Sequence, residues 1–416
     1  MIRKGAAANM NKPLRSLDIL KGIGIVMIII VHNRHFIMKD MTGFRQIINY
    51  GQMGCQLFFF VSGMALCYSW YHLIQKEQRK SFPVLYGKFI LRRYLRLAPG
   101  FLIILAANYL LNILLMDIFH YSPGFIINRS PKAILANVLF VHGIYPDAIN
   151  SVFPGGWYIG TTFILYLLFP LLVTLFQKLH TVNRFLIFPL PLLFLCLNHI
   201  LLKQWSIASK GSLYPYNNSF LYYFFTNQLP CFLLGILLYF QENNIDSNTP
   251  HQKKYFSQKC PLLLSIALFL GTSVLAIRWY LLPEENYRYT YLPSLVGLSF
   301  YWLAVSMIHW EHRKTSLLPC QKNTISHKNR GILQFLTDFL AQCGKNSYGM
   351  YLVHAFICWY GVKGVTDTMK YCGYDYPDLT LYCILLLPSI FIVYVAGLYM
   401  GQLIGFIDKK LRKPSQ

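Results

Sequence analysis

The chain has 416 residues, of which 55% are hydrophobic and only 13% charged, where an ordinary globular domain carries about 25% charged residues. That balance excludes a soluble domain and predicts a polytopic membrane protein. The formal charge of +23 would suit a nucleic-acid partner, but its distribution excludes one. Lys and Arg crowd one alternate set of loops: the N-terminus to Arg15, Lys76–Arg96, Lys178–Arg184, Lys253–Lys259, Arg313–Arg330 and the tail from Lys409. The intervening loops hold few. This is the positive-inside pattern, with both termini cytoplasmic.

The expected fold is an all-α helical bundle with an N-terminal arm (1–14), a membrane domain (15–406) and a short basic tail (407–416). Ten spans fit the hydropathy: Leu17–Ile37, Gly54–Ile74, Leu97–Met116, Trp157–Phe176, Phe185–Leu202, Phe220–Phe240, Pro261–Leu282, Tyr291–His309, Ser347–Tyr360 and Leu381–Phe406. The first span has a basic flank like a signal peptide, but its run is too long and no small-residue cleavage site follows, so an uncleaved anchor is expected. Pro131–Val141 is too short to cross and reads as an external or re-entrant helix. Gly331–Cys343, with Asp338 inside it, reads as a cytoplasmic interfacial helix. The 10 cysteines are scattered without a C-x-x-C, which indicates neither a zinc site nor a disulfide framework. No metal is expected. Buried carboxylates are scarce, so a proton relay built on them is unsupported, and the available base is a histidine.

The first span, RSLDILKGIGIVMIIIVHN, carries the strongest chemical signal. Lys21 and His32 are separated by about 20° in azimuth and about 16 Å along a helix axis, with Asp18 about 40° from His32. Lipid would penalise all three, so that face turns to a polar interior. The alternative is headgroup anchoring by Asp18 and Lys21, with His32 marking the far interface.

Four further stretches follow. GCQLFFFVSGMALCYSW places Ser62-Gly63 amid aromatics, where small residues serve close helix packing unless Ser62 acts directly. KFILRRYLRLAPG brings Arg93 and Arg96 to one helical face, a forked pair suited to phosphate oxygens. Topological anchoring explains juxtamembrane arginines as well. PGGWYIGTTFILYLLFP feeds a Gly-Gly turn into Trp157, an aromatic expected at the outer interface. GKNSYGMYLVHAF sets Ser347 and His354 seven apart on one face, with Asn346 as the expected cap. A lone histidine there is otherwise a packed, hydrogen-bonded residue.

In this order and spacing the stretches resemble acyltransferase family 3, the polytopic bacterial enzymes that acylate cell-surface sugars. The resemblance runs from about Arg15 to Phe406. Lys21 and His32 match the family's basic residue and the histidine that follows it after ten intervening positions, and Arg93 and Arg96 match its R-x-x-R pair. The FFFVSG run at Ser62 is similar, as are Trp157, Tyr166 and Pro170, and the late run Ser347, Tyr348, Tyr351 and His354. Many members carry a glutamate five residues after the tryptophan, where this chain has Thr162. A role resting on that glutamate does not carry over.

The resemblance implies O-acyl transfer, usually from acetyl-CoA or another short acyl-CoA as co-substrate, with no tightly bound cofactor. His32 is the expected base, Lys21 positions its surroundings or the donor, and Arg93 and Arg96 grip the CoA phosphates. Asp18, Ser62, Trp157, Tyr166, Ser347 and His354 would line the interior or the acceptor site. The expected acceptor is a sugar hydroxyl of a lipid-linked or surface polysaccharide at the bacterial cytoplasmic membrane, with polysaccharide-synthesis proteins as possible partners. The rival class is a polytopic exporter or flippase of a polysaccharide precursor, and a third is a catalytically silent assembly protein.

Overall fold

The computed structural model describes residues 14–34, 42–78, 80–122, 125, 127–208, 217–243, 260–281, 288–317, 331–374 and 378–411. Residues 1–13 of the expected arm, the end of the expected first span, the basic loop segments at 244–259 and 318–330, and the last five residues of the tail lie outside them. The described residues contain helices and turns and no strand. This is the solution lipid demands, because a helix satisfies its backbone hydrogen bonds internally. Nine of the described helical stretches are long and apolar enough to cross a membrane.

In chain order the α-helices are α1 (Arg15–Asn33), α2 (Thr42–Asn49), α3 (Gly54–Lys76), α4 (Phe82–Ile113), α5 (Pro131–Val138), α6 (Gly156–Val182), α7 (Leu190–Ala208), α8 (Asn217–Tyr223), α9 (Phe225–Glu242), α10 (Leu262–Leu281), α11 (Arg288–Leu317), α12 (Ile332–Lys345), α13 (Ser347–Ala355), α14 (Val362–Tyr371) and α15 (Asp378–Leu411). One expected span is not a regular α-helix. The span placed at Ser347–Tyr360 is not one of the nine. It is the short helix α13, then a π-helical turn over Phe356–Gly361, then α14.

Two compact units divide the chain. The first comprises Met1–Lys21, Gln56–Phe89 and Leu165–Gln342. Its core is aromatic: Phe59, Phe60, Phe169, Phe176, Phe232, Tyr239 and Phe240 are all buried. Here α3 and α9 pack backbone to backbone. A Cβ on Gly63 would lie 2.1 Å from the Phe232 carbonyl, and one on Gly235 1.9 Å from that of Phe60. Without a hydrophobic drive between helices in lipid, such small residues allow the close packing that holds them together. Buried Gln56 donates to Gln228 at 2.9 Å and to Tyr222 at 3.1 Å in the same layer. At the start of α1, the Glu311 carboxylate accepts from the backbone N–H groups of Arg15 (3.0 Å) and Ser16 (2.9 Å), and the Arg15 side chain pairs with Asp338. A carboxylate on the first free N–H groups is favourable both as a cap and against the helix dipole.

The second unit comprises Gly22–Cys55, Ile90–Ile164 and Cys343–Gln416. In it Tyr382 of α15 donates to the Ile30 carbonyl at 3.0 Å, and Ser389 to fully buried Asn33 at 2.9 Å, which fixes the end of α1. Gly349 of α13 lies against Gly397 of α15, with a Cβ at Gly349 only 2.3 Å from the Gly397 carbonyl. After α5 the chain turns sharply at Phe140, whose φ of 60° is uncommon for a bulky residue. Its fully buried ring, in contact with Phe101, Tyr94 and Phe163, holds that conformation.

Candidate active site

The chemistry-bearing side chains of the second unit converge where α1 ends. His32, the penultimate residue of α1, is half-buried, and its ring centroid lies 5.2 Å from that of His354 and 6.1 Å from that of Trp359. The Trp359 indole N–H donates to His32 Nδ1 at 3.3 Å. A π-turn, closed by i→i+5 bonds rather than i→i+4, carries Trp359 back over the turn that holds His354.

His354 stands in the last turn of α13 and is 1% exposed. Its Nδ1 bonds the Tyr351 backbone carbonyl one turn earlier. The Tyr351 hydroxyl in turn donates to the Gly155 carbonyl at 2.7 Å, and Tyr158 packs on the Tyr351 ring at 4.8 Å between centroids. Gly155 has φ +84°, and a Cβ there would lie 3.2 Å from Tyr351 Oη and 3.7 Å from His354 Cε1. The turn needs glycine both for its backbone and for its room.

A second histidine-to-turn contact buttresses the same loop. His142 is fully buried, its Nε2–H donates to the Gly156 carbonyl at 3.0 Å, and its ring stacks on Phe101 at 5.6 Å. It lies between α5 and α6. Burial lowers its pKa to about 4, against the opposing pull of the Gly156 and Ala136 carbonyls. It is therefore neutral at pH 7 and serves as a support.

The arginine turn belongs to the same unit. Arg93 is half-buried and Arg96 exposed on α4. Next to Arg96, the Leu97 carbonyl accepts from the Tyr348 hydroxyl at 2.6 Å. Helix α13 thus meets the R-x-x-R turn at its start and presents His354 near its end, about 9 Å further along the axis. Ser347 is half-buried at the start of α13, away from His354. Asn346 was the expected cap, yet its side chain makes no capping bond. Its backbone is close to the helical region, while an N-cap side chain reaches the free N–H groups from an extended backbone. Trp157, expected at an interface, is 7% exposed, and Thr162 is buried with its hydroxyl making no hydrogen bond among the described residues.

Asp18, Lys21, Ser62 and Tyr166 belong to the first unit. Lys21 Nζ pairs with Asp18 at 2.9 Å, each side chain about a quarter exposed. Ser62 is half-buried beside the Gly63 packing contact, and Tyr166 is half-buried on α6.

Sequence reasoning missed Trp359, Tyr158, His142 and a polar chain beyond the indole. Phe125 packs edge-on to Trp359 at 5.9 Å, and Asn112 donates to the Phe125 carbonyl at 2.9 Å. Tyr360 donates to Asn108 at 2.7 Å. Further along, Tyr121, Lys363 and Asp367 form a linked trio. The isolated signals were weak, since Asn and Tyr are common in membrane helices and nothing announced the π-turn.

A bundle of membrane-length helices defines a polytopic membrane protein, and one of its units holds both the histidine pair and the R-x-x-R turn. The chain matches the family model described as an acyltransferase domain over residues 14–398, nearly its whole length, and belongs to acyltransferase family 3. No curated protein and no solved structure matches it.

Proposed function

We propose that this membrane acyltransferase is an O-acyltransferase, acetyl-CoA-dependent in the first instance, acting on a hydroxyl of a cell-surface or lipid-linked glycan. The observation that carries the reading is the placement along α13. One end bonds the backbone beside Arg96, and the other holds His354 against His32. Acyl transfer needs a grip on the CoA phosphates and a base at the reacting hydroxyl. Arg93 and Arg96 supply forked donors for the phosphates, and the histidine pair supplies the proton chemistry. Asn108, Asn112 and Tyr360 offer the mixed donors and acceptors that sugar hydroxyls require. Lys21 is paired with Asp18 and is not assigned a proton-transfer step. The setting is the bacterial cytoplasmic membrane with both termini cytoplasmic, where polysaccharide-synthesis proteins are the natural partners.

The reaction is tested by incubating membranes with labelled acetyl-CoA and analysing the surface glycans by mass spectrometry. Acetylated glycan that is lost with Arg93→Ala or His32→Ala supports the enzyme. Translocated glycan without any acylated product supports the exporter and refutes the proposal.

A further inference from the structure

The two histidines of the site hydrogen-bond through the same ring atom to partners of opposite character. The Trp359 indole nitrogen only donates, so His32 Nδ1 must accept. A neutral imidazole that accepts at Nδ1 carries its proton at Nε2. The Tyr351 carbonyl only accepts, so His354 Nδ1 must donate. Its lone pair then sits at Nε2, which makes no hydrogen bond among the described residues. In a catalytic triad likewise the group bonded to Nδ1 decides whether Nε2 is a base.

Resting on the acyl-transfer reading above, we infer that His354 is the general base and that His32 acts as a hydrogen-bond donor to the thioester oxygen. The hydroxyl oxygen of the acceptor attacks the thioester carbonyl carbon as its proton passes to the lone pair on His354 Nε2. The carbonyl π electrons move onto oxygen, where the His32 Nε2–H stabilises the developing charge. When the tetrahedral centre collapses, the C–S bond breaks and the CoA sulfur takes the proton from His354. The products are the ester and CoA thiol, with both histidines restored. The backbone carbonyl of Tyr351 does for His354 what a carboxylate does in a triad, and it holds the tautomer without adding a charge. Tyr351 is itself pinned by Gly155, so the base is positioned from two sides. The groups facing His354 are His32, Tyr351 and the Gly155 backbone.

Two measurements test the assignment. The first uses purified protein and radiolabelled acetyl-CoA with water as acceptor, reading labelled acetate from pH 3 to pH 9. His354→Gln is expected to lose 10²- to 10⁴-fold in kcat/KM, the usual contribution of a general base, and to lose the histidine inflection from the pH profile. His32→Gln keeps an N–H donor, and is expected to lose about tenfold while keeping the inflection, a milder loss than deleting an oxyanion donor outright. Free imidazole should restore turnover to His354→Ala. An inflection that vanishes with His32→Gln and survives His354→Gln overturns the assignment. The second measurement needs no turnover. Nitrogen-15 spectra of histidine-labelled protein, assigned by difference against His32→Gln and His354→Gln, should show a protonated Nδ1 on His354 and a protonated Nε2 on His32. Trp359→Phe should release His32 from its tautomer and leave His354 unchanged. Two histidines with the same protonated nitrogen refute the inference even if acyl transfer is real. Absence of any acylated glycan with the wild-type protein refutes the acyl-transfer reading itself.

Discussion

Replacing Gly155 with alanine tests whether the glycine turn sets the position of His354. Two costs follow from the geometry. A residue with a Cβ held at φ +84° is destabilised by roughly 1–2 kcal/mol in the left-handed region. The new methyl also meets Tyr351 Oη at 3.2 Å, which strains the 2.7 Å bond from that hydroxyl to the Gly155 carbonyl. Losing such a bond costs about 1 kcal/mol. Gly155→Ala should therefore lower stability by about 2 kcal/mol. Tyr351→Phe should lower it by about 1 kcal/mol, since the Gly155 carbonyl keeps its bond from the Tyr158 N–H. The two should not add. With the hydroxyl gone, the next Tyr351 atom is Cζ at 3.8 Å, an ordinary contact, so alanine then meets only the backbone strain. A coupling of about 0.5–1 kcal/mol is expected, within the range for residues in contact. Reversible unfolding in mixed micelles, followed by tryptophan fluorescence, measures each corner of the cycle. Labelled-acetate release should fall more than tenfold in Gly155→Ala, because a displaced base loses its near-attack geometry. Additivity within about 0.3 kcal/mol, or full activity in Gly155→Ala, would refute the argument that the turn aims His354.

Three other outcomes are expected. Arg93→Ala should raise the KM for acetyl-CoA about 10- to 100-fold with kcat little changed, the loss of a charge-assisted contact; Arg93→Lys should recover only part, because the fork is gone. A fall in kcat at constant KM would remove Arg93 from donor binding. His142, with a folded pKa of about 4 below the ordinary 6.5, contributes stability that is complete above pH 6.5 and drains away as pH falls toward 4. The loss should approach about 3 kcal/mol, so His142→Gln should flatten unfolding free energy against pH in that window; an unchanged slope would show that another group governs it. Glu311→Ala removes the acceptor for two backbone N–H groups at the start of α1. It should cost about 1–2 kcal/mol and speed amide hydrogen exchange at Arg15 and Ser16, whereas exchange as slow as in the wild type would show that the cap is not the carboxylate.

Much of the bundle was legible because lipid imposes one strong rule, that apolar runs of spanning length become helices. Leu17, Gly54, Trp157 and Pro261 open expected spans within two residues of observed helix starts. The packing role of the small residues at Ser62-Gly63 was legible for the same reason, since few side chains allow backbones to touch. The neighbourhood of His32 was only half legible. A 3.6-residue period places residues on a helix face, and it grouped Lys21 with His32. It does not say that Asp18, three residues before Lys21, would occupy its ammonium.

Trp359 shows where periodicity stops working. On an α-helix, five residues turn the chain through about 500°, which leaves Trp359 about 140° away from His354 in azimuth. The π-turn over Phe356–Gly361 winds through fewer degrees per residue, and the indole sits against His32. A π-turn is rare and recurs at functional sites. The polar stretch that follows, with Lys363 bonded to Asp367 and Tyr121, departs equally from what an apolar crossing would select. Sequence rules thus fail together over Phe356–Tyr371, and that is the segment that supplies the donor to His32. Coincidence of local rule-breaking with side-chain convergence is what a functional site looks like in a chain otherwise governed by regular helices. It is also why the proton inventory of the pair had to be read from Trp359 and the Tyr351 carbonyl rather than from the spacing of the histidines.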